Sequence, residues 1–455
     1  MDGLEAVELK VSDIYEDNES FRLDSEYFKK EYLAIKKYIC QFPHKKLGSF
    51  TKITDGEHGS VVFQQEGIKY LTAENIKQGF VDLSNIRYVS REVDIRNKRA
   101  SVEIGDVLIS IKGTLGEVAV AEPWLLPANM NRDVAIIKVQ HKEKFTSEFI
   151  TLFLMSRIGS KLSEREGSGG VQQMITLERL RTLIIPELSI CFQNKAGDLY
   201  KLSKQKLEES QKVYREAEEL LLEELGLNDF IPSDECVAVK SFSESFGTSG
   251  RLDAEYYQLK YDNIISRIKS YHGGYDIVEN QFLQKKTSYE RTQESYDYIE
   301  ISDVNVSNGE ITPNNILVEE LPANAKNKVS KGDILVSKVR PYRGAVGIIE
   351  LEQEDLICSG AFTVLRENGN INKETLVVLF RLKCYKDLLL KYNVGTSYPV
   401  IRDEDVLNMP IPLIGKTIQT TIAEKISESF MLRAASKRLL EEAKTAVERA
   451  IEEGE

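Results

Sequence analysis

The fold is decided by a stretch that occurs twice: RLDSEYF at residues 22–28 and RLDAEYY at residues 251–257, an offset of 229 residues. A second block, GDVLIS at residues 105–110, recurs as GDILVS at residues 332–337, an offset of 227. Ile175 and the Ile-Pro pair at residues 185–186 recur as Ile401 and the pair at residues 411–412, an offset of 226. Three blocks in one order at nearly one offset indicate that the chain is two copies of one unit.

Composition narrows the class of protein. The chain has 455 residues, enough for two to three domains, and a formal net charge of -12. It contains no run of about 18 apolar residues, and its first ten residues lack the basic and apolar regions of a secretory signal. Its five cysteines include no C-x-x-C pair. We therefore expect a cytoplasmic protein without a membrane segment, and one that does not coat nucleic acid by bulk charge.

Each unit shows the same order of local patterns. A short helix is expected to open at Asp24 or Asp253, because aspartate is a good N-cap. Short β-rich runs follow, separated by Gly, Asn and Pro. The predicted strands are residues 68–71, 107–111, 118–121 and 134–139 in the first unit and residues 298–301, 334–339, 345–349 and 362–365 in the second. Helices at residues 147–162 and 373–390 come next, and the Ile-Pro pair closes each unit.

After each Ile-Pro pair comes a long helix without proline, over about residues 193–225 and 418–453. Each has one apolar stripe and a dense charged face. The two helices could each pack on their own domain, or they could pair with each other. Heptad spacing and the duplication favour an antiparallel pair. The residues expected in helix pairing or partner docking are Leu199, Leu202, Val213, Leu220, Ile422, Ile426, Phe430, Leu440 and Val447.

Familiar catalytic and metal-binding patterns are missing. Gly415-Lys416-Thr417 resembles the end of a phosphate loop, but Pro410 stands where the first glycine is required. The stretch from Asp303 lacks the glycine and the last glutamate of a calcium loop. The four histidines lie far apart and no H-E-x-x-H is present. We predict no catalytic residue and no metal ligand, so the chain is expected to do no chemistry alone.

These features together resemble the specificity subunit of a Type I restriction–modification enzyme. The resemblance rests on the two RLD blocks, the TDGEH turn at residues 54–58, and the GDVLIS block running into GTLG at residues 113–116. It also rests on the Ile-Pro boundaries, on Gln193 and Gln419 near the start of the long helices, and on the duplication itself. It covers essentially the whole chain.

The resemblance implies an α+β fold. Two tandem β-rich target-recognition domains, related by pseudo-two-fold symmetry, are separated by two long antiparallel helices that form a coiled coil. The implied segments are an N-terminal helical segment (1–46), target-recognition domain 1 (47–190), a central helix (191–227), target-recognition domain 2 (228–415, with its own N-terminal helix at 251–271) and a C-terminal helix (416–455).

The resemblance also implies a non-catalytic role in phage defence. Each domain would read one half of a bipartite, asymmetric double-stranded DNA site. The helices would set the spacing and dock two modification subunits, which methylate adenine at N6, and restriction/translocase subunits would join them. S-adenosylmethionine, ATP and Mg are expected on those partners and no cofactor in this chain. Open alternatives are a specificity subunit of a related Type II system, a stand-alone DNA-modifying enzyme, and a coiled-coil scaffold with no nucleic-acid role.

Two loops differ between the copies. GTLG at residues 113–116 is replaced by RPYRG at residues 340–344, and the second copy has no recognisable counterpart of the TDGEH turn. If these loops touch DNA, the two domains read different half-sites. No segment is basic overall, so DNA contacts must come from local clusters. The predicted DNA-binding residues are His58, Arg87, Arg91, Lys112, Thr114, Arg132 and Gln172 in the first copy and Lys285, Lys286, Arg291, Lys338, Arg340, Tyr342 and Arg343 in the second.

Overall fold

The computed structural model describes residues 7–15, 18, 22–169, 173–235, 237–395 and 397–454. The chain divides into unit 1, residues 1–208 and 433–455, and unit 2, residues 209–432. Each unit is a body of short strands and helices that also contains part of both long helices. The predicted α+β class, with two tandem β-rich domains and two long antiparallel helices, is confirmed. The first six residues, on which part of the signal-sequence prediction rests, and Gln172 lie outside the described residues.

The helices and strands that begin in unit 1 are as follows. The helices are α1 (Val11–Tyr15), α2 (Lys30–Ile39), α3 (Arg91–Arg96), α4 (Ser147–Met155), α5 (Arg157–Glu166), α6 (Leu177–Thr182) and the long α7 (Ile190–Glu224). The strands are β1 (His44–Lys46), β2 (Thr51–Asp55), β3 (Phe63–Gln64), β4 (Ile68–Leu71), β5 (Ile76–Lys77), β6 (Phe80–Val81), β7 (Arg87–Val89), β8 (Val107–Ser110), β9 (Val118–Val120), β10 (Ala128–Met130), β11 (Val134–Val139) and β12 (Ile184–Pro186).

The elements that begin in unit 2 follow the same plan. The helices are α8 (Phe246–Ser249), α9 (Leu259–Lys269), α10 (Val278–Gln281), α11 (Lys373–Arg381), α12 (Lys383–Leu390), α13 (Asp403–Leu407) and the long α14 (Lys416–Glu453). The strands are β13 (Tyr275–Ile277), β14 (Phe282–Gln284), β15 (Ser295–Ile299), β16 (Asn314–Leu317), β17 (Ala325–Lys328), β18 (Ile334–Ser337), β19 (Val346–Ile348), β20 (Leu356–Ser359), β21 (Phe362–Glu367) and β22 (Pro410–Pro412).

The main sheet has the same topology in both units. Its order is β2-β11-β8-β9 in unit 1 and β14-β21-β18-β19 in unit 2, with every pair antiparallel. One of its two central strands, β8 in unit 1 and β18 in unit 2, comes from the repeated block at residues 105–110 and 332–337. Val107 and Ile109 enter one apolar core, whereas Leu108 enters another on the opposite face. Because successive side chains of a strand alternate between faces, a sheet covered on both sides needs this continuous apolar run.

The second sheet has a shared centre and different edges. Strand β4 pairs parallel to β10 and antiparallel to β7, and β15 pairs parallel to β20 and antiparallel to β16 in the same way. In unit 1 the sheet is extended by β3 next to β7, but in unit 2 it is extended by β17 next to β20. The two units therefore differ at the periphery of a common scaffold.

The long helices pack against each other within each unit through a heptad seam. In unit 1, Ser203 of α7 lies 3.3 Å from Ser436 of α14, measured between hydroxyl oxygens. In unit 2, Ser210 and Ser429 are 3.0 Å apart, and Lys425 pairs with Glu216 at 2.6 Å. Residue numbers rise along one helix as they fall along the other in unit 2, so the segments there are antiparallel. Buried positions on α7 recur every three or four residues, apart from one step of seven between Ser203 and Ser210; they include Ala196, Tyr200, Ser203, Ser210, Tyr214, Ala217 and Leu221.

This seam lies one position away from the predicted apolar stripe at several points. Leu202 is 41% exposed, while Ser203 beside it is 3% exposed. Ile422, Ile426 and Val447 are buried as core residues, and Leu199, Leu220, Phe430 and Leu440 pack partly buried against the cores. Val213 is half-buried. Serine is small enough to let helices approach closely, and its hydroxyl is satisfied across the seam, so buried positions here need not be apolar.

A buried glutamine joins the first turns of each long helix to its own unit. The Gln193 side chain accepts the N–H of Thr146 at 2.9 Å and donates to the carbonyls of Lys144 and Leu188 at 2.8 and 2.9 Å. Gln419 repeats all three contacts, with Asn372 N–H at 2.8 Å and the carbonyls of Asn370 and Ile414 at 2.9 and 2.7 Å. Both side chains belong to residues at most 2% exposed. We refer to these contacts as the glutamine clasps.

The prediction that an α-helix begins at Asp24 or Asp253 was wrong. Residues 25–28 form a turn, residues 254–257 form a 3₁₀ helix, and the α-helices begin only at Lys30 and Leu259. The carboxylate of Asp24 accepts the N–H of Tyr27 at 3.1 Å, as an N-cap would, but Lys29 has an extended backbone that interrupts the helix. Tertiary contacts of the turn therefore override the local capping signal.

The two helices predicted at residues 147–162 and 373–390 are each divided into two. Ser156 and Leu382 have extended backbones between α4 and α5 and between α11 and α12. The Ser156 hydroxyl accepts the N–H of Gly159, and a Cβ at Gly159 would lie 1.9 Å from the carbonyl oxygen of Phe153. This close approach requires glycine. In the described part of the chain, no helix has both the length and the apolar composition needed to cross a membrane.

We expect the glutamine clasp to be a major contribution to the stability of each unit. Replacing Gln419 with alanine removes the amide that binds the N–H of Asn372 and the carbonyl of Ile414, which costs about 2–3 kcal/mol of unfolding free energy. Urea unfolding followed by circular dichroism measures the loss. Glu424→Ala, on the exposed face of the same helix, is the control and should change stability by less than about 0.5 kcal/mol. Equal effects of the two substitutions would contradict this role.

Candidate nucleic-acid interface

Three loops meet at one edge of the main sheet in each unit. In unit 1 they follow β2, follow β8 and precede β11, because these antiparallel strands end and begin at the same edge. The N–H of Ile111 donates to the carbonyl of Asp133, and that of Arg132 donates to the carbonyl of Glu57. In unit 2 the corresponding loops follow β14, follow β18 and precede β21. We call these residues, 55–58, 111–116 and 131–133 in unit 1 and 285–287, 338–344 and 360–361 in unit 2, the loop edges.

Backbone contacts align the two loop edges residue by residue. Ile111 donates to Asp133 O and accepts from Ile175 N. Lys338 donates to Ala361 O and accepts from Ile401 N in the same arrangement. The loop that begins at Ile111 is therefore the structural equivalent of the loop that begins at Lys338. The replacement of residues 113–116 by residues 340–344 lies between the same pair of strands.

The first residue of each replaced loop has a left-handed backbone. Gly113 has a φ of 87°, and its equivalent Arg340 has a φ of 49°. Arg340 is the one residue other than glycine with a positive φ in the described part of the chain, and it precedes Pro341. Any residue other than glycine in the left-handed backbone region costs about 1–3 kcal/mol of conformational free energy. A following proline restricts the backbone further. An arginine is thus held where glycine would be the easier choice.

The side chains of this loop face solvent. Arg340 and Arg343 are exposed, and Tyr342 is 39% exposed. The N–H of Arg340 donates to the carbonyl of Pro399 at 2.8 Å, and its guanidinium carbon lies 5.8 Å from the ring centre of Tyr398. The loop therefore presents two guanidinium groups and an aromatic ring from a fixed backbone.

Other predicted cations of unit 2 are bound by carboxylates of the same unit. Asp403 on α13 accepts from Lys338 at 2.8 Å, lies 3.3 Å from Lys286, and accepts from the Thr363 hydroxyl at 2.8 Å. Burial alone would raise the pKa of Asp403, but the hydrogen bonds from Lys338 and Thr363 and the lysine charges outweigh it and lower the pKa to about 2. Lys338 is therefore part of an internal ion pair, with only 18% of its side chain exposed.

Lys285 also has a structural partner. It lies 2.8 Å from the fully buried Asp333, which is the aspartate of the second repeated block. Asp333 also pairs with Arg366 at 2.7 Å, and its counterpart Asp106 lies 3.4 Å from Lys138 in unit 1. Lys286 keeps 65% of its side chain exposed despite its contact with Asp403. Arg291 is exposed and donates to the carbonyl of Pro322 at 3.2 Å, outside the loop edge.

In unit 1, the turn at residues 55–58 is an ion-pair cluster. His58 lies 2.7 Å from the Asp55 carboxylate and keeps 57% of its side chain exposed. Arg99 pairs with Asp55 at 3.2 Å and Arg96 with Glu57 at 3.2 Å. Hydrogen bonding from the N–H of Gly59 and the Arg96 charge hold the pKa of Glu57 below its usual value. The turn-stabilising bond proposed for His58 is therefore present, and much of the ring remains accessible.

Gly56 fixes the position of this turn. A Cβ at Gly56 would lie 2.1 Å from the carbonyl oxygen of Met130. The backbone of the turn thus packs directly against the strand that precedes Arg132, and only glycine fits.

The remaining predicted residues of unit 1 fall into two groups. Arg132, Thr114 and the half-buried Lys112 lie at the loop edge, where the Thr114 hydroxyl donates to the carbonyl of Ala73 at 3.4 Å. Arg87 and Arg91 lie elsewhere, on β7 and at the start of α3. The Arg87 guanidinium carbon is 4.9 Å from the ring centre of Phe63. The loop edge of unit 1 therefore carries fewer exposed guanidinium groups than that of unit 2.

Some residues that organise the site were not predicted from the sequence. Asp403 is separated by 65 positions from Lys338, so no local pattern announces their pairing. Tyr398, beneath Arg340, lies similarly far along the chain. The described residues contain no group of three or more His, Cys, Asp or Glu side chains that could hold a metal ion.

The sequence of the chain matches a known protein family. The family model described as "Type I restriction modification DNA specificity domain" matches the chain twice, over residues 27–207 and 256–444. The chain belongs to this family. The two matches cover most of the chain and reproduce the duplication. Specificity subunits of these systems are non-catalytic and provide DNA sequence recognition.

The chain is also similar to individual specificity subunits. The chain is 26% identical to the EcoBI specificity subunit of Escherichia coli over 126 residues, which are 28% of this chain and 26% of that one. It is 22% identical to the MjaVIII specificity subunit of Methanocaldococcus jannaschii over 429 residues, covering 88% of this chain and 90% of that one. A solved Type I S subunit from M. genitalium has 12% identity and a TM-score of 0.43, over 90% of this chain and 95% of the other. The chain thus spans about a quarter of the E. coli relative and nearly all of the archaeal one.

The Asp403 ion pairs predict a specific pH dependence of stability. The pKa of Asp403 is lower in the folded chain than its ordinary value of 3.8, so its contribution is complete above about pH 5 and is lost as the pH falls toward 2. We expect Asp403→Asn to reduce the unfolding free energy by about 2 kcal/mol at pH 7 and by about half as much at pH 3. Urea unfolding at both pH values measures this, with Glu354→Gln as the exposed control. A pH-independent difference would show that the ion pairs do not act through this charge.

Proposed function

We propose that this chain is the sequence-recognition subunit of a Type I restriction–modification complex and that its two units each read one half of a bipartite, asymmetric DNA site. The observation that supports this is a contrast within one chain. The main sheets share one strand order and the glutamine clasps repeat contact for contact, whereas the loop edges differ in length, charge and backbone. A common scaffold that carries two unlike loop edges suits two different half-sites.

The reading chemistry of unit 2 is proposed to depend on Arg340 and Arg343. A guanidinium group can donate two hydrogen bonds to O6 and N7 of guanine in the major groove. Arg340 is held in an unfavourable backbone conformation with its side chain exposed, and such strain is common where function requires a particular geometry. Lys338 and Lys285 are engaged by the carboxylates of Asp403 and Asp333, so we assign them to shaping the loop edge and not to base contact.

In unit 1 the proposed contacts are different in kind. His58, Lys112, Thr114 and Arg132 share the loop edge, and glycines at residues 113 and 116 allow the backbone to approach DNA closely. We assign Arg87, Arg91 and Arg291, which lie outside the loop edges, to phosphate contacts or to solvated surface. Phosphate contacts contribute affinity without carrying sequence information directly.

We also propose that the helix pair sets the distance between half-sites and docks two modification subunits, with restriction/translocase subunits joining the assembly. Methylation of adenine at N6 and DNA cleavage would then belong to those partners, together with S-adenosylmethionine, ATP and Mg. This chain would supply no catalytic group. Its contribution is the choice of sequence.

Substituting Arg340 with glycine tests the reading role without the usual loss of stability. Glycine tolerates the backbone that Arg340 adopts, so the folded chain should be as stable as the wild type or up to about 1 kcal/mol more stable. DNA affinity of the chain assembled with modification subunits should fall about 5- to 100-fold, with weakened discrimination at one base of the second half-site. Fluorescence anisotropy with a panel of single-base variants measures both quantities.

Lys269→Ala, which removes one positive charge from α9, is the control and should leave base discrimination unchanged. Arg340→Lys keeps the charge but not the two-pronged donor geometry, so it should retain part of the affinity and little of the discrimination. Full affinity and full discrimination in Arg340→Gly would exclude Arg340 as a base reader.

The spacing role has a separate test in the heptad seam. Inserting seven residues into α7 between Ser203 and Ser210, and seven into α14 between Ser429 and Ser436, keeps the seam in phase. Each insertion lengthens a helix by about 10 Å, close to the rise of three base pairs. Methylation mapping in cells should show unchanged half-sites with a spacer about three base pairs longer. An unaltered spacer in an assembled, active complex would refute the proposal.

A further inference from the structure

Comparison of the two copies distinguishes repeated residues that folding requires from repeated residues that folding does not explain. Most repeated residues are buried and have a structural role. Asp106 and Asp333 are 5% and 0% exposed, Ser110 and Ser337 are 0% and 1% exposed, and Gln193 and Gln419 are similarly buried. Folding alone accounts for the retention of these side chains in both copies.

The repeated turn at residues 22–28 and 251–257 is different. Leu23 is 77% exposed and its equivalent Leu252 is 68% exposed. The acidic positions Asp24 and Glu26, with their counterparts Asp253 and Glu255, are also exposed. Single exposed leucines are ordinary on protein surfaces. An identical exposed leucine between the same charges on two otherwise diverged units is not explained by packing.

The turn is held firmly, so this leucine is presented from a fixed backbone. Arg22 contacts both Asp24 carboxylate oxygens at 2.6 Å and donates to the carbonyl of Gly167 at 2.6 Å. Arg251 likewise contacts Asp253 at 2.6 to 2.7 Å and donates to the carbonyl of Asn393 at 2.9 Å.

The aromatic residue of each turn is anchored by a cation of its own unit. The guanidinium carbon of Arg165 lies 3.8 Å from the ring centre of Tyr27, and the ammonium nitrogen of Lys391 lies 4.8 Å from that of Tyr256. Thus the arginine, aspartate and tyrosine of the motif hold the turn, whereas the leucine has no internal role.

We propose that these two turns are equivalent docking points for two copies of one protein partner. The partner surface would offer an apolar pocket for the leucine, rimmed by cationic side chains that face the aspartate and glutamate. Under the proposed function, on which this inference rests, that partner is the modification subunit, with one copy on each unit. A partner that binds twice needs the same surface twice, whereas two DNA half-sites need different ones.

The charge of the turn favours protein over DNA as its occupant. The guanidinium of each arginine is already engaged by its own aspartate and by backbone carbonyls. The exposed carboxylates that follow each leucine, Asp24 and Glu26 or Asp253 and Glu255, repel phosphates and attract cationic protein surfaces. The arginine of each motif is bound within its own turn, and Lys29 pairs with Glu26 at 2.5 Å, so these cations offer little compensating attraction for a DNA backbone.

The test measures assembly with purified modification subunit by native mass spectrometry and by titration calorimetry. Wild type should bind two copies. Leu23→Ser and Leu252→Ser should each weaken one of the two sites about tenfold, and the double variant should weaken both. Leu→Met at each position should restore binding. Because the leucines are exposed, thermal unfolding of all variants should match the wild type.

Val62→Ser in unit 1 and Val239→Ser in unit 2 are the matched controls. These valines are 81% and 91% exposed and lie outside the two repeated turns, so partner affinity should be unchanged. Unaltered affinity for both copies in the double leucine variant would overturn the docking assignment alone. Weaker DNA binding with unchanged partner affinity would also overturn it, in favour of DNA as the occupant. A wild-type chain that binds neither modification subunit nor DNA would instead reject the proposed function.

Discussion

The architecture depends on a buried amide at the start of each long helix. Gln193 and Gln419 each satisfy one N–H and two carbonyls of their own unit, in the same pattern. These groups lie where loop backbone meets the first turns of a helix, a place where backbone donors and acceptors lack regular partners. A side chain with one acceptor and two donors matches that need, and aspartate, glutamate or a shorter amide would leave groups unsatisfied. The orientation of each long helix on its unit follows from this match.

Retention of the scaffold allows the loop edges to diverge. The main sheet is covered by apolar cores on both faces, so its central strands tolerate little change of volume. The loops at its edge face solvent and tolerate substitution, insertion and even an unfavourable backbone such as that of Arg340. The strained backbone of Arg340 can persist only because the flanking strands β18 and β19 hold both ends of the loop in place.

The sequence was informative where structure follows from local patterns. Strands at residues 68–71 and 134–139 have the predicted bounds, and the long helices begin and end within three residues of expectation. It failed where a distant residue decides the outcome. The turn at Asp24 depends on the carbonyl of Gly167, and the state of Lys338 depends on Asp403. The serine seam was missed because apolar periodicity overlooks small polar residues whose hydroxyls bond to each other.

The same long-range ion pairs explain how an acidic chain can serve as a selective reader of DNA. Free cations at an interface release counterions on any duplex, whatever its sequence, and so raise non-specific affinity. In this chain Lys338, Lys285 and Arg99 are engaged by Asp403, Asp333 and Asp55. Under the proposed function, these ion pairs neutralise cationic side chains and so lower the part of the DNA affinity that does not depend on sequence. Most of the remaining affinity then comes from contacts that require matching bases. Exposed guanidinium groups then act mainly where their donor geometry is satisfied, so the net charge of -12 is compatible with selective recognition.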